Sequence, residues 1–415
     1  MKKREMDTTV EKETIRHELF VIGGGAAGMM AAIAAARAGA DAAILEHTDK
    51  IGKKLLATGN GRCNLTNLRQ KPEYYRSGAP DEAWKVVSAF PPEAAIPFFE
   101  ELGLLTRDRE GYVYPYSNQA GSLLRVLKAE LFRLQIPVYY RTQIQTIRKE
   151  SGRFVCETEN RSYEAEKIVL ATGSKAAPKT GSDGSGYVLA EELGHTVTEL
   201  QPALVQLIAE EGCFQRLAGI RADASVKLYL DGRLTAEDSG EVQLTEYGIS
   251  GIPVFQVSRY AAEGLAAGRK VKAELDFCPA LDEIRLKEWI EKRLSLGIRM
   301  REILCGLLNE KLADFFAESI ESGLPIQQMK QFPVTIKGTK GFEQCQVCMG
   351  GVPLTEIDTE SMQSRVVRGL YLAGELLDVD GCCGGYNLQW AWSSGYLAGR
   401  SAAVSAKSKT EGKDT

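Results

Sequence analysis

The chain has 415 residues, of which 44% are apolar and 26% charged, with a formal net charge of -4. That is material for two or three globular domains with sizeable cores, and the charge gives no general attraction to nucleic acid or an anionic membrane. Nine cysteines, an odd count with Cys382 and Cys383 adjacent, do not make a disulfide scaffold and fit a reducing cytoplasm.

Residues 1–16 are mostly polar and charged and are expected to form a disordered tail. The opening MKKREM is basic, but no apolar run follows it, so no secretory signal is expected. The apolar stretch that comes next is broken by Arg37 and Asp41, which argues against a membrane span.

The chain is organised around Glu18 to Glu46, ELFVIGGGAAGMMAAIAAARAGADAAILE. An apolar run from Leu19 to Ile22 enters a glycine turn, an alanine-rich helix follows, and a second apolar run from Ala42 to Leu45 ends at Glu46. Gly23, Gly25 and Gly28 stand in GxGxxG spacing. In a strand–turn–helix context the first allows a sharp turn and the second a close approach to a pyrophosphate. The third allows tight helix packing. The helix N-terminus offers free N–H groups and partial positive charge to phosphates. Glu46 follows at the distance where a carboxylate accepts ribose hydroxyls. These features predict a dinucleotide-binding α/β domain.

Residues 47–67, HTDKIGKKLLATGNGRCNLTN, read as a long functional loop with at most one helical turn. Ala83 to Phe90 and Glu93 to Leu102 read as short helices, and Ala120 to Leu134 as an amphipathic one. Val138 to Tyr140, Ile144 to Arg148 and Phe154 to Thr158 read as a small meander turning at Ser151-Gly152. The buried run KIVLATG is expected to return to the central sheet, bringing Ala171, Thr172 and Gly173 to the same ligand edge. TGSDGSG, residues 180–186, is expected as a loop over the bound nucleotide.

The expected domains are a first part of the dinucleotide domain over 17–195, an inserted β-rich domain over 196–280 and a small helical cap over 281–331. The dinucleotide domain then resumes over 332–404, and a frayed tail covers 405–415. Late in the chain, GLYLAGELLDVDGCCGGYNLQWAWSSGYLAG repeats the opening logic. A strand delivers Gly374 and Glu375, a turn carries Asp378 and Asp380, and Gly384-Gly385-Tyr386 leads into a helix N-terminus at Asn387 and Leu388. Such an end can stabilise negative charge on a reduced flavin near N1 and O2, and Asp378 can hold ribityl hydroxyls. Two such constellations at opposite ends of one chain argue for FAD over NAD.

VIGGGAAG, GKKLLATGNGRCNLTN, VLATGS, LTEYGISGIP and GLYLAGELLDVDG…GGYNLQWAWSSG together resemble one family, over about residues 17–404. It is the bacterial NAD(P)/FAD-dependent oxidoreductase family of aminoacetone oxidase-like and BaiN-like flavoproteins. The resemblance implies a FAD-binding Rossmann-like domain of glutathione reductase type, an inserted β-barrel domain and a small helical domain. It carries FAD contacts to Gly23, Gly25, Ala27, Gly28 and Glu46, to Lys53, Gly61, Arg62 and Asn64, and to Gly374, Glu375, Asp378, Gly385, Tyr386, Asn387 and Leu388. It also implies reduction of conjugated double bonds in 3-dehydro-bile acids or related small molecules.

Hydride delivered to an enone leaves an enolate that needs a proton and donors for its oxygen. Tyr386 and Arg62 are the candidate proton donor and carbonyl holder, against the alternative that they only pack or pair with the cofactor. NADH or NADPH is the expected electron donor, although only one dinucleotide fingerprint is present. A flavin-dependent oxidase of an amino or hydroxy compound, or a flavin-binding redox sensor without turnover, remains as the alternative. Cys345 and Cys348 in CQVC read as buried small residues, because no thioredoxin-like pattern precedes them, and a thiol relay at Cys382-Cys383 stays open. His17, His47 and His195 lack metal-ligand spacing, no Ser-His-Asp constellation is visible, and Glu246 and Tyr247 read as turn and packing residues.

Overall fold

A computed structural model describes residues 13–323 and 325–407. The chain divides into two compact units, one of residues 1–199 with 350–415 and the other of Leu200–Met349.

The first unit is built on a nine-stranded sheet. Its parallel strands lie in the order Val138–Tyr139, Ala42–Leu45, Glu13–Ile22, Arg161–Leu170 and Leu370–Leu372. Numbered along the chain this is the 3-2-1-4-5 order of a dinucleotide fold. The core strands are continuous apolar runs with every residue of Phe20–Ile22, Ala42–Leu45 and Ile168–Leu170 buried, as a sheet covered on both faces requires.

Three expectations shift here. Glu13–Arg16 are not tail; they extend the first strand, with Glu13 paired to Arg161. The rest of the tail expected over 1–16 lies outside the described residues, as do residues 408–415 of the C-terminal one. Val138–Tyr139 leaves the expected meander and pairs in parallel with Ala42–Leu45. Thr146–Glu150 and Arg153–Glu157 form a hairpin that pairs with the first half of Arg161–Leu170, and the second half of that strand pairs with Leu370–Leu372.

The helix Ala26–Arg37 packs on the C-terminal helix Tyr386–Lys407. Small residues make this close crossing possible. A Cβ at Gly395 would lie 2.5 Å from the Ala27 carbonyl oxygen, and one at Gly399 would lie 2.0 Å from that of Ala31.

The second unit is a closed six-stranded barrel with three short helices after its fifth strand, Glu283–Leu294, Met300–Cys305 and Glu310–Glu321. Val226, Leu228, Val242, Leu244, Ile249, Val334 and Ile336 fill its core. Phe332–Thr339 is the strand that closes the barrel, pairing with Val271–Asp276 and Leu207–Ala209. This unit therefore runs on to Met349, past the return at 332 expected from the sequence. The alternating FPVTIKGT pattern suits a barrel wall as well as a sheet edge, and only the pairing decides between them.

Candidate functional site at the carboxyl ends of the central sheet

In an open α/β sheet the binding crevice lies beyond the carboxyl ends of the strands, where the strand order reverses. Here the reversal falls between Glu13–Ile22 and Arg161–Leu170, whose last residues are paired as Ile22 and Leu170. Gly23 turns off the first with a φ of +106°, and a Cβ there would lie 2.4 Å from the Ala171 oxygen. A Cβ at Gly28 would lie 1.9 Å from the Gly23 backbone oxygen, so the helix can sit on the turn only because residue 28 has no side chain. Gly25 differs: a Cβ there would meet nothing within 4 Å. The space over Gly25 is open, and the helix it begins has no side-chain cap and no acidic residue in its first turn. Its first N–H groups are thus available to an anion.

Glu46 is buried and ends the neighbouring strand. Its carboxylate accepts from the Gly24 N–H at 2.8 Å and the Thr48 N–H at 2.7 Å, one bond to each oxygen. Each carboxylate oxygen keeps further lone-pair capacity for hydroxyls. The loop 180–186 comes to this same corner, where a Cβ at Gly181 would lie 2.9 Å from the Thr48 methyl.

The loop after Glu46 holds one short helix, Lys53–Ala57, and then a run of left-handed residues. Gly59, Asn60, Gly61 and Cys63 have φ between +53° and +81°. The Arg62 and Cys63 N–H groups donate to the Gly59 and Thr58 carbonyls, each at 3.1 Å, which closes this turn on itself. Arg62 is exposed at its tip. Lys53 pairs with Asp49 at 2.6 Å. Its neighbour Lys54 donates to Glu375 at 2.5 Å.

Glu375 joins three segments, because Ser174 also donates to it at 2.9 Å. Gly374 sits against the first helix, where a Cβ would lie 2.8 Å from that of Ala27. Asp378 accepts from the Gly78 N–H at 3.2 Å. Thr172 Oγ1 is buried with no hydrogen-bond partner, next to Gly186, where a Cβ would clash with it at 1.8 Å. Gly173 has φ +77° and faces the Ser182 hydroxyl.

The second glycine turn is held by residues far away in sequence. Gly385 has φ +98°, and a Cβ there would lie 2.7 Å from the Thr66 backbone and 2.9 Å from Asn64 Oδ1. That Asn64 oxygen is buried without a partner. Asn387 caps its own turn, with Oδ1 accepting from the Gly381 N–H at 2.8 Å and Nδ2 donating to the Gly381 oxygen at 2.9 Å. Leu388 lies half-buried in the first turn of the helix. Tyr386 is buried, packs against Tyr74 with ring centroids 4.8 Å apart and planes tilted by 46°, and donates its hydroxyl proton to the Arg69 carbonyl at 3.0 Å. Burial, with Tyr74 nearby, pushes its pKa well above the ordinary tyrosine range.

The structure thus gathers the expected residues of the first turn, of 171–173, of 374–378 and of 385–388 around one sheet edge, while Lys53 is paired with Asp49. Sequence reading missed Lys54, Ser174 and Gly78. Ser174 had a signal, since it directly follows the ATG of the buried strand. Cys345, Cys348 and Cys382 are buried and Cys383 is half-buried. Among the described residues, no cluster of metal ligands is found and no helix is long and apolar enough to cross a membrane.

Comparison with known proteins agrees with this geometry. The HI0933-like protein Rossmann domain matches residues 17–401. The 3-dehydro-bile acid delta(4,6)-reductase of Clostridium scindens is 44% identical over 405 residues, 93% of this chain and 99% of that one. The ribosomal RNA dihydrouridine synthase of Haemophilus influenzae is 29% identical over 400 residues, 91% of this chain and 96% of that one. A flavocytochrome c3 fumarate reductase in its open conformation shares the fold, with a TM-score of 0.51 and 16% identity over 95% of this chain and 79% of that one. An uncapped dinucleotide turn, a second glycine turn from the other end of the chain and a match along nearly its whole length lead to one conclusion: the chain belongs to the HI0933-like family of FAD-binding Rossmann proteins and is an FAD-dependent oxidoreductase.

Proposed function

We propose that this oxidoreductase is an NADH- or NADPH-linked reductase of a carbon–carbon double bond conjugated to a ketone, in a hydrophobic 3-oxo molecule of bile-acid or steroid type. The observation that carries the reading is the 44% identity, over nearly all of both chains, to a 3-dehydro-bile acid delta(4,6)-reductase. FAD, when bound, supplies the hydride that such a double bond accepts.

The residues of the cradle fit that cofactor. The open space over Gly25 and the uncapped helix behind it suit a pyrophosphate. Glu46, already oriented by Gly24 and Thr48, suits the ribose hydroxyls. Asn64 Oδ1 and Thr172 Oγ1, buried and without protein partners, are polar atoms that a bound group would satisfy. Asp378, steadied by Gly78, suits the ribityl hydroxyls. The N-terminus of the helix starting at Tyr386 lends partial positive charge to the ring end of the site.

The chain's own contribution to chemistry is then to hold the ketone oxygen and supply a proton. Arg62, exposed at the tip of its loop, is free to hold that oxygen. Tyr386 steadies the second turn instead of donating, because its hydroxyl is engaged by Arg69. The test is an anaerobic visible spectrum of the purified protein. A flavin spectrum that bleaches with NADH or NADPH and returns on adding a 3-oxo-4-ene steroid supports the reading. A reduced flavin that steroid leaves unchanged, and that unmodified ribosomal RNA reoxidises, would replace it with the chemistry of the 29% identical relative, since dihydrouridine is also the product of reducing a double bond conjugated to a carbonyl. A flavin that neither nucleotide bleaches would point to another donor, an oxidase or a sensor.

A further inference from the structure

Beside the second glycine turn lies a three-stranded sheet of Thr66–Asn67, Thr106–Arg109 and Tyr112–Pro115. Its register pairs Arg107 with Tyr114, and Arg109 and Asn67 with Tyr112. Directly opposed residues of antiparallel strands project to the same face. Arg107, Arg109, Tyr112 and Tyr114 therefore share one face, and the buried Val113 lies on the other.

This face begins at the glycine turn. Asn67 Nδ2 donates to the Gly384 carbonyl at 3.0 Å, and a Cβ at Gly384 would lie 2.7 Å from the Tyr112 ring. It then runs outward from Tyr112 to Tyr114, a step of about 7 Å along a strand.

The face is cationic without compensation. Arg62, Arg107 and Arg109 form no ion pair with any described carboxylate, although most charged arginines elsewhere in the chain do, among them Arg16, Arg37, Arg133, Arg216 and Arg301. Asp108, between two of these arginines, projects to the opposite face and accepts from the Gly111 N–H at 2.8 Å. Arg107 Nε is buried with no hydrogen-bond partner, its guanidinium 5.7 Å from the Tyr116 ring. Burial raises the Tyr114 pKa, with Tyr112 and Cys383 adding to the rise and Arg62 and Arg109 opposing it. Arg107 and Arg109 thus share this face with two tyrosine rings, and Arg107 has a desolvated donor in need of an acceptor.

We propose that this face is a subsite for the anionic tail of the substrate, with a carboxylate received by Arg107 and Arg109 and the apolar body lying against Tyr112 and Tyr114. The proposal rests on the reductase reading above and narrows its substrate to amphipathic 3-oxo acids over neutral steroids. A forked guanidinium is suited to a carboxylate, and a pair whose donor is already buried discriminates against a neutral analogue more strongly than an exposed pair does.

The test is equilibrium binding to the FAD-loaded protein, followed by calorimetry, of a 3-oxo-4-ene bile acid and of its methyl ester. The acid is expected to bind at least about tenfold tighter than the ester, and the advantage should shrink as salt is raised. R107Q and R109Q should each bring the acid toward the affinity of the ester, with FAD absorbance retained as the sign of an intact fold. Equal binding of acid and ester by the unaltered protein, or no binding of the acid, overturns the subsite without needing any variant. So does a loss confined to NADH or NADPH binding in R107Q, which would assign the face to the donor's phosphates. Turnover is read separately: an acid that binds tightly but does not reoxidise the reduced protein keeps the subsite and removes the reductase reading.

Discussion

The two glycine turns of the cradle do similar work by different routes. The first is local and parallel: Gly23 and Gly28 are five residues apart in the sequence, and each forbids a side chain because the other, or the adjacent Ala171, occupies the space. The second is assembled from a distance. Gly384 and Gly385 are closed in by Tyr112 and Thr66, hundreds of residues upstream on a small antiparallel sheet. A turn of the first kind is written in one short motif, and one of the second kind acquires its meaning only when two ends of the chain meet.

The largest effects should separate structure from ligand inside the first turn. Gly28→Ala forces a methyl group to 1.9 Å from a backbone oxygen that cannot move without the strand. It should cost about 3 kcal/mol or more and be visible in the melting temperature of the apoprotein. Gly25→Ala puts its methyl into open space at an ordinary backbone conformation. It should leave apoprotein melting nearly unchanged and weaken FAD about tenfold or more, read by fluorescence titration. If both variants melt early and bind alike, the distinction between packing glycine and approach glycine fails.

The second turn should give a smaller cost with a different signature. Gly385→Ala meets the Thr66 backbone at 2.7 Å and carries a φ of +98° that alanine rarely adopts. A loss of about 1–3 kcal/mol is expected, since strain and overpacking act on the same site. Because Thr66 also donates to Gln389 at 2.6 Å, the damage should spread into the C-terminal helix. Amide exchange in the segment around Thr66 and in the first turns after Tyr386 should accelerate together; protection lost at only one of them would show that the two ends are not coupled.

This contrast also marks what the sequence could tell. The opening strand, turn and helix were legible because every constraint lies within Glu18 to Glu46. The returning strand was legible because KIVLATG is a continuous apolar run. The parallel pairing of Val138–Tyr139 was not, since two residues carry no periodicity and the partner Ala42–Leu45 lies far upstream. Phe332–Thr339 has a clear alternation, but its place in the barrel depends on pairing with Val271–Asp276 and Leu207–Ala209, which the pattern does not carry. At the site, Lys53 and Lys54 are indistinguishable as letters, and only the phase of one helical turn sends Lys54 to Glu375. The position of Tyr386 beside the second turn was legible, whereas its hydroxyl's partner, the Arg69 carbonyl 317 residues upstream, was not.

A finer test of the second turn uses Asn64. Its buried Oδ1 has no partner in the protein, so it contributes little to the fold by itself. Asn64→Ala should shift apoprotein stability by no more than about 0.5 kcal/mol and weaken FAD by about tenfold. A large loss of apoprotein stability would mean that Asn64 is a scaffold residue of the loop and not an acceptor kept for the cofactor.

The smallest effect should arise away from both turns, where acid acts on a charge instead of a contact. Glu356 accepts from the His195 ring at 2.7 Å, the Thr196 N–H at 3.1 Å and the Thr196 hydroxyl at 2.6 Å. Ser364 completes the network, 2.8 Å from the other His195 nitrogen. Partial burial works to raise the Glu356 pKa, but the hydrogen bonds from Thr196 and His195 outweigh it and hold the carboxyl below its usual value of 4.5. A depressed folded pKa means that the unfolded chain binds the proton first as pH falls. The stabilisation is therefore complete above the usual carboxylate pKa and is lost as pH drops through the lower, folded value. Glu356→Gln should lower the urea midpoint at about pH 7 and converge with the unaltered protein in acid. A variant whose deficit stays constant down to strongly acidic pH would show that Glu356 acts through shape and not through its charge.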